Sequence, residues 1–140
     1  MIKLYLCGPM TGLPDHNYPA FLAAADQLRT AGFEVFNPAE NGLSADAPWA
    51  EHMRVDIINL MTCQGVAMLP GTDTSRGAKL ELHNALELGM PVASVGTWVG
   101  FLAPISEALK ATEKMLEDLL EHTYNMLDTA TQAAQEPPHV

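Results

Sequence analysis

Short β-rich runs alternate with amphipathic segments of helical length along most of the chain, and this alternation limits the fold more than any other feature. Ile2–Cys7 is the first run, closed by the Gly- and Pro-punctuated turn Gly8–Gly12. From Tyr18 the residues Phe21, Ala24, Ala25 and Leu28 recur at helical spacing until Gly32, a stop signal. Phe33–Phe36 is a second run, followed by a loop from Asn37 to Pro48. Trp49–Thr62 predicts another helix, with Met53, Ile57 and Leu60 on one face. Gly65–Leu69 is almost uninterrupted apolar sequence, as a central strand covered on both faces requires. After the turn Pro70–Thr74, Ser75 is a good N-cap for a helix reaching Leu88 and Gly89, and Met90–Val95 is a further run. Alternation of this kind calls for parallel strands joined by right-handed crossovers. The expectation is an α/β fold: a Rossmann- or flavodoxin-like, doubly wound parallel sheet of about five strands with a long C-terminal helix.

The last part differs in kind. Ser106 to about Thr131 carries a long helical pattern rich in Leu, Glu, Lys and Met, with a stripe of Leu109, Met115 or Leu116, Leu119 and Leu120. A helix beyond a finished sheet packs on its own domain or on a second copy. The expected division is a domain over 1–103, a helical extension over 104–131 and a polar tail over 132–140. That tail holds Pro137 and Pro138 and is expected to be disordered.

Composition narrows the function. At 140 residues the chain suits one domain, and 48% hydrophobic with 17% charged residues is far from the disordered class. No apolar run approaches the roughly 20 residues of a membrane span, and the start carries no basic region or cleavage site of a secretory signal, so a cytoplasmic protein without a membrane partner is expected. Cys7 and Cys63 lie in or beside apolar segments and read as reduced core thiols rather than a bridge. A net charge of -10 argues against a nucleic-acid polymer as the main partner, since a duplex binder needs a basic face. A small anionic ligand is still compatible, because backbone amides and a single Arg can hold a phosphate locally. His52 and His83 lack companions at metal-ligand spacing, so neither a metal nor another cofactor is expected.

In a doubly wound sheet, ligands bind outside the carboxyl ends of the strands. The loops leaving that edge are Gly8–Gly12, Asn37–Asn41 and Pro70–Gly77. Taken singly, their polar neighbours are ambiguous. Glu81 stands near a helix start, where the macrodipole alone favours a carboxylate. Asp56 reads equally well as a solvated helix residue, and Ser75 caps a helix whatever else it does. Trp49, Met10 and Met53 could pack on a base or simply in the core.

Together these residues resemble a family. Tyr5-Leu-Cys-Gly-Pro-Met-Thr-Gly12, then Asp56-Ile-Ile-Asn-Leu60 with an apolar strand behind it, then Ser75-Arg-Gly-Ala-Lys-Leu-Glu81 and Ala85, resemble the nucleoside 2-deoxyribosyltransferase superfamily. The spacing Ser-x-Gly-x-x-x-Glu followed by Ala is similar to 2'-deoxynucleoside 5'-phosphate N-hydrolases and cytidylate N-glycosidases. The fuller pattern, with Asn17-Tyr-Pro-Ala-Phe21 and Asn37-Pro-Ala-Glu40, resembles small deoxyribosyltransferase-like proteins often found in phages. The resemblance covers roughly residues 1–96 and stops short of the C-terminal helix.

The resemblance implies roles. Glu81 matches the family's nucleophile, which attacks the anomeric carbon and carries the sugar as a covalent intermediate. Asp56 matches an aspartate that handles the base or a proton, a general acid with a raised pKa. Tyr5 matches a tyrosine that orients the nucleophile. Ser75 matches a contact to the 5'-phosphate, and the turn residues Gly8, Met10, Thr11 and Gly12 match the rest of that wall. Where the hydrolases carry Ser and Arg in the first loop, this chain has Pro9 and Thr11. Arg76, beside Gly77, would then supply the charge, and Thr11 with the turn amides the donors. Ser94 and Thr97 are candidates for a phosphate contact from a partner chain. The implied function is hydrolysis of the N-glycosidic bond of a (deoxy)nucleoside 5'-monophosphate or nucleoside. The alternatives are deoxyribosyl transfer and non-catalytic nucleotide binding. A homodimer or higher homo-oligomer is expected.

Overall fold

Residues of the first strand point alternately to opposite faces, and this alternation builds two cores. A computed structural model describes residues 1–135. Its elements are β1 (Lys3–Cys7), α1 (Tyr18–Thr30), β2 (Glu34–Phe36), α2 (Trp49–Leu60), β3 (Gly65–Met68), α3 (Arg76–Glu87), β4 (Val92–Ser94) and α4 (Val95–Gln135). Leu4 and Leu6 of β1 pack with Phe21, Ala25 and Leu28 of α1 on one side of the sheet. Tyr5 and Cys7 pack on the other side with Leu60 of α2 and with Ala78 and Ala85 of α3. All four β1 residues are fully buried, as expected of a strand covered on both faces.

The sheet is parallel in the order β2-β1-β3-β4. Tyr5 of β1 registers with Phe36 of β2 and with Val66 of β3. The fold is therefore the expected flavodoxin-like α/β type, with four strands rather than five. After Ser94 the chain turns directly into helix, so no fifth strand forms among the described residues.

The C-terminal helix starts at Val95 rather than Ser106. Ser94 Oγ accepts from the Thr97 amide at 3.1 Å, a side-chain cap at its first turn. Val95, Trp98, Val99 and Leu102 recur at helical spacing and join the α1-side core. Trp98 Nε1 donates to the Val66 carbonyl of β3 at 2.9 Å. The helix also runs on through Gln135, taking in residues 132–135 of the expected tail. Those residues are Gln and Ala, good helix formers, and Gln132 Nε2 donates back one turn to Asp128 Oδ2 at 3.0 Å. The rest of the expected tail, 136–140, lies outside the described residues.

By its contacts the chain forms two units, Met1–Ala103 and the segment from Pro104 onward. Pro104 lies inside α4 and brings no amide N–H to it. Cys7 and Cys63 are both free and buried. No helix among the described residues is long and apolar enough to cross a membrane.

Candidate active site

The strand order places a switch point between β1 and β3: α1 carries the chain to one side of β1, and α2 carries it back to the other. Crevices form at such points, at the carboxyl ends of the strands. A pocket of about 260 Å³ opens there, near the lower end of the ~300–1,000 Å³ usual for small-ligand sites. All three loops singled out in the sequence reach it: Gly8, Met10, Thr11 and Gly12 after β1, Pro38 after β2, and Ser75 and Gly77 after β3. Two carboxylates line it from separate helices, Asp56 from α2 and Glu81 from α3.

Both carboxylates are buried, 5% and 6% exposed, which sets aside the solvated-helix reading of Asp56. Burial is the main reason the Glu81 carboxyl is pushed up to about 8. The neighbouring Tyr5 hydroxyl and Cys7 thiol pull against that rise, and the charge of Asp56 adds to it. Asp56 is also raised, chiefly by burial, against the lowering influence of Asn41 and His52. Tyr5 is fully buried, and its hydroxyl has no partner at hydrogen-bonding geometry. Burial first, and then the charge of Glu81, hold that hydroxyl well above the usual tyrosine range.

Asp56 is held by a small network. Asn41 Nδ2 lies 3.1 Å from Asp56 Oδ1 and 3.2 Å from His52 Nδ1. His52 Nε2 lies 3.0 Å from the Ser44 carbonyl, so the ring donates there and accepts from Asn41 through Nδ1. Asn41 Oδ1 in turn accepts from the Leu43 amide at 3.1 Å. The loop between β2 and α2 is thereby pinned against the carboxylate it presents.

The α3 side is built by close approach. Ser75 Oγ accepts from the Ala78 amide at 3.3 Å, so it caps the helix while lining the pocket. A Cβ on Gly77 would stand 3.2 Å from Met53 Sδ, which lets α3 and α2 meet at the pocket wall. Gly8 is tighter still: a Cβ there would fall 2.8 Å from Leu69 Cβ. Its role is close packing of the strand end.

Arg76 is not brought to the pocket. Its guanidinium lies 4.0 Å from the centroid of the Trp49 ring and faces a separate surface groove with Lys79 and His83. The reason is helical geometry: Gly77, Ala78, Glu81 and Ala85 occupy the inner face of α3, and Arg76, Lys79 and His83 the outer one. Among the described residues no Lys or Arg lines the pocket. No three His, Cys, Asp or Glu side chains among the described residues come together as metal ligands would.

Sequence reasoning missed the wall formed by His16, Tyr18 and Phe21 and the anchoring by Asn41. His16 sits in a strained turn. Asp15, His16 and Asn17 all adopt left-handed backbone, with φ of 49°, 51° and 58°. Consecutive non-glycine residues there are uncommon and costly. Asn17 Nδ2 ties the turn down by donating to the Pro9 carbonyl at 2.9 Å. The string from Asn17 to Phe21 was visible in the sequence, but no local pattern announced left-handed backbone in a run without glycine.

A family model described as a domain of unknown function, DUF4406, matches residues 2–94. Among solved structures, a 2-deoxyribosyltransferase from the psychrotolerant bacterium Bacillus psychrosaccharolyticus shares the fold, with a TM-score of 0.52 and 23% identity over 64% of this chain and 69% of its own. That enzyme is described as a suitable biocatalyst for the industrial synthesis of antiviral and antitumoral nucleosides. No curated protein matches the chain.

Proposed function

The chain belongs to the DUF4406 family, and from the pocket built by its matched region we propose that it breaks the N-glycosidic bond of a nucleoside, with Glu81 as nucleophile and Asp56 as proton donor. The observation that carries this reading is the pairing of two buried carboxylates across one pocket, with an unpartnered tyrosine hydroxyl beside one of them. A glycosyl centre needs one carboxylate to attack and a second, protonated one to release the leaving group.

In the first step a Glu81 oxygen bonds to C1' as the C1'–N bond breaks, and the base nitrogen takes its proton from Asp56. In the second, water attacks C1', the ionised Asp56 accepts its proton, and the free sugar leaves Glu81 as a carboxylate. The reactive form carries its proton on Asp56 and none on Glu81. A Glu81 carboxyl near 8 is mostly protonated at neutral pH, so ionising it has a cost. Tyr5 Oη, without a partner, is available to donate to Glu81 once that group is charged.

The lining favours a neutral nucleoside over its 5'-monophosphate. A phosphate dianion would enter a pocket with two carboxylic groups and neither Lys nor Arg in its walls, where both ring nitrogens of His52 are already engaged, leaving only backbone amides, hydroxyls and His16 to receive it. Hydrolysis is the reading, with water as acceptor. Because the solved neighbour is a deoxyribosyltransferase, a second free base is the control for transfer.

The test is a panel of ribo- and deoxynucleosides and their 5'-monophosphates, with released base measured by chromatography, with and without a second base. Nucleosides should be cleaved better than their monophosphates. Glu81→Gln should lose at least about a thousandfold in rate while remaining folded, as removal of a covalent nucleophile does. A Glu81→Gln variant that cleaves at the parent rate overturns the mechanism. Tight binding of a panel member without base release would make the protein a nucleoside-binding module.

A further inference from the structure

The two oxygens of Asp56 are not equivalent. Oδ1 accepts from Asn41 Nδ2 at 3.1 Å, whereas Oδ2 receives no hydrogen bond among the described residues. When a carboxyl is protonated, an N–H donates to its carbonyl oxygen and the proton sits on the other one. The proton of Asp56 therefore belongs on Oδ2. Asp56 lines the pocket, so that is also the oxygen left for a ligand.

Asn41 is itself fixed. Both hydrogens of its Nδ2 are spent, one on Asp56 Oδ1 and one on His52 Nδ1 at 3.2 Å, while its Oδ1 accepts from the Leu43 amide at 3.1 Å. His52 is held in turn by its Nε2, 3.0 Å from the Ser44 carbonyl. Exchanging the oxygen and nitrogen of the Asn41 amide would set oxygen against Asp56 Oδ1 and an NH2 group against the Leu43 N–H, losing both bonds. Asn41 is not part of the pocket lining, so it reaches a ligand only through Asp56.

Resting on N-glycosidic cleavage with Asp56 as proton donor, we propose that Asn41 is a positioning residue that assigns the transferable proton to Asp56 Oδ2 and stabilises the carboxylate left behind. As Glu81 bonds to C1', the electron pair of the C1'–N bond goes to the base, whose nitrogen takes the Oδ2 proton. Negative charge then grows on Asp56, and the bond from Asn41 becomes a charge-assisted one. An interaction that strengthens along the reaction lowers its barrier. The resting protein shows the same balance: burial raises the Asp56 carboxyl and keeps its proton on, whereas Asn41 first and His52 second lower it. Glu81 of α3 and Tyr5 of β1 also feel the charge of Asp56, and among the described residues neither hydrogen-bonds to it.

The leaving group supplies the test. Asn41→Ala is assayed on the panel nucleoside cleaved best and on para-nitrophenyl 2-deoxyriboside, whose nitrophenolate departs without a proton. The variant should lose about ten- to a hundredfold in kcat on the nucleoside, the scale of one charge-assisted bond, and less than about threefold on the nitrophenyl glycoside. Asn41→Leu, of similar volume, should show the same split and serves if the smaller side chain unfolds the loop. Equal losses on the two substrates, or none on either, overturn the positioning role and leave the glycosidic reading standing. Glu81→Gln should lose both reactions; at the parent rate it would overturn that reading and the step on which Asn41 acts. NMR titration of the carboxyl carbon in the free protein needs no turnover. Asp56 should titrate at higher pH in Asn41→Ala than in the parent, since the lost bond favours the charged form. An unchanged or lowered midpoint overturns the assignment.

Discussion

The two units of the chain use similar residues to opposite ends. In Met1–Ala103, leucines and alanines at helical spacing lie against a sheet, and Leu4, Leu6, Leu28 and Leu60 are wholly buried. In the segment from Pro104, leucines at equally regular spacing are more than half exposed. Periodicity alone does not tell these apart. What separates them is the surroundings of the helix: α1, α2 and α3 each alternate with strands, so each has a sheet face to cover, while among the described residues no strand follows α4. Regular apolar spacing states that a surface will be covered. It does not state by what.

Experiments can break or sharpen this contrast, and the largest effect is expected at the pocket. Glu81 has a folded-state pKa of about 8 against an ordinary value of 4.5. A carboxyl raised on folding favours the native state fully below the lower value and loses that contribution as pH rises through the upper one. Between about pH 4.5 and 8 the parent protein should therefore lose stability relative to Glu81→Gln, on the order of 5 kcal/mol in all. Urea unfolding of both proteins across that range measures it, and parallel curves would mean Glu81 is not held in its neutral form.

Truncating leucines compares the two units directly. Leu6→Ala removes a wholly buried side chain from the inner strand and should cost about 2–5 kcal/mol of domain stability. Leu109→Ala trims a side chain that is 61% exposed, and should leave the unfolding of the dilute chain within about 0.5 kcal/mol. Equal losses at low concentration would show that the α4 stripe is already covered within one chain.

The smallest effect belongs to a cap. Ser75→Ala removes the bond to the Ala78 amide and should cost about 1 kcal/mol in thermal or urea unfolding. Because Ser75 also lines the pocket, ligand affinity should fall as well; unchanged affinity would confine the residue to capping.

Much of the fold was legible because each strand is bounded by Gly or Pro and each helix shows one apolar face. The start of α4 was not. Gly96, Gly100 and Pro104 interrupt the stretch where Val95, Trp98, Val99 and Leu102 form its buried face, so a helix reads as the end of a strand and a loop. In the pocket, sequence order located Glu81, Asp56 and the three loops, since strand ends converge at a switch point. It misplaced Arg76, whose nearness to Ser75 along the chain conceals a turn of the helix to its outer face. Nor could it reveal Asn41, whose link to Asp56 joins residues 15 apart by hydrogen bonds that no periodicity encodes.

The inner position of β1 has a consequence for how the protein is made. It is made before the other strands of its sheet, yet its pairing is complete only when β3 exists: the Lys3 amide donates to Gln64 Oε1, 61 residues later, and Cys7 registers with Met68. Until that stretch leaves the ribosome, Leu4, Leu6 and Phe21 lack their full cover, and no hairpin can shield them because every pairing in the sheet is parallel. Such long-range closure is slow and leaves the nascent chain open to aggregation or proteolysis. The β1–β3 pairing that forms late is also the one at whose carboxyl ends the pocket opens. A molecule seated there binds only the closed chain, and so draws newly made protein toward the native state in proportion to its concentration.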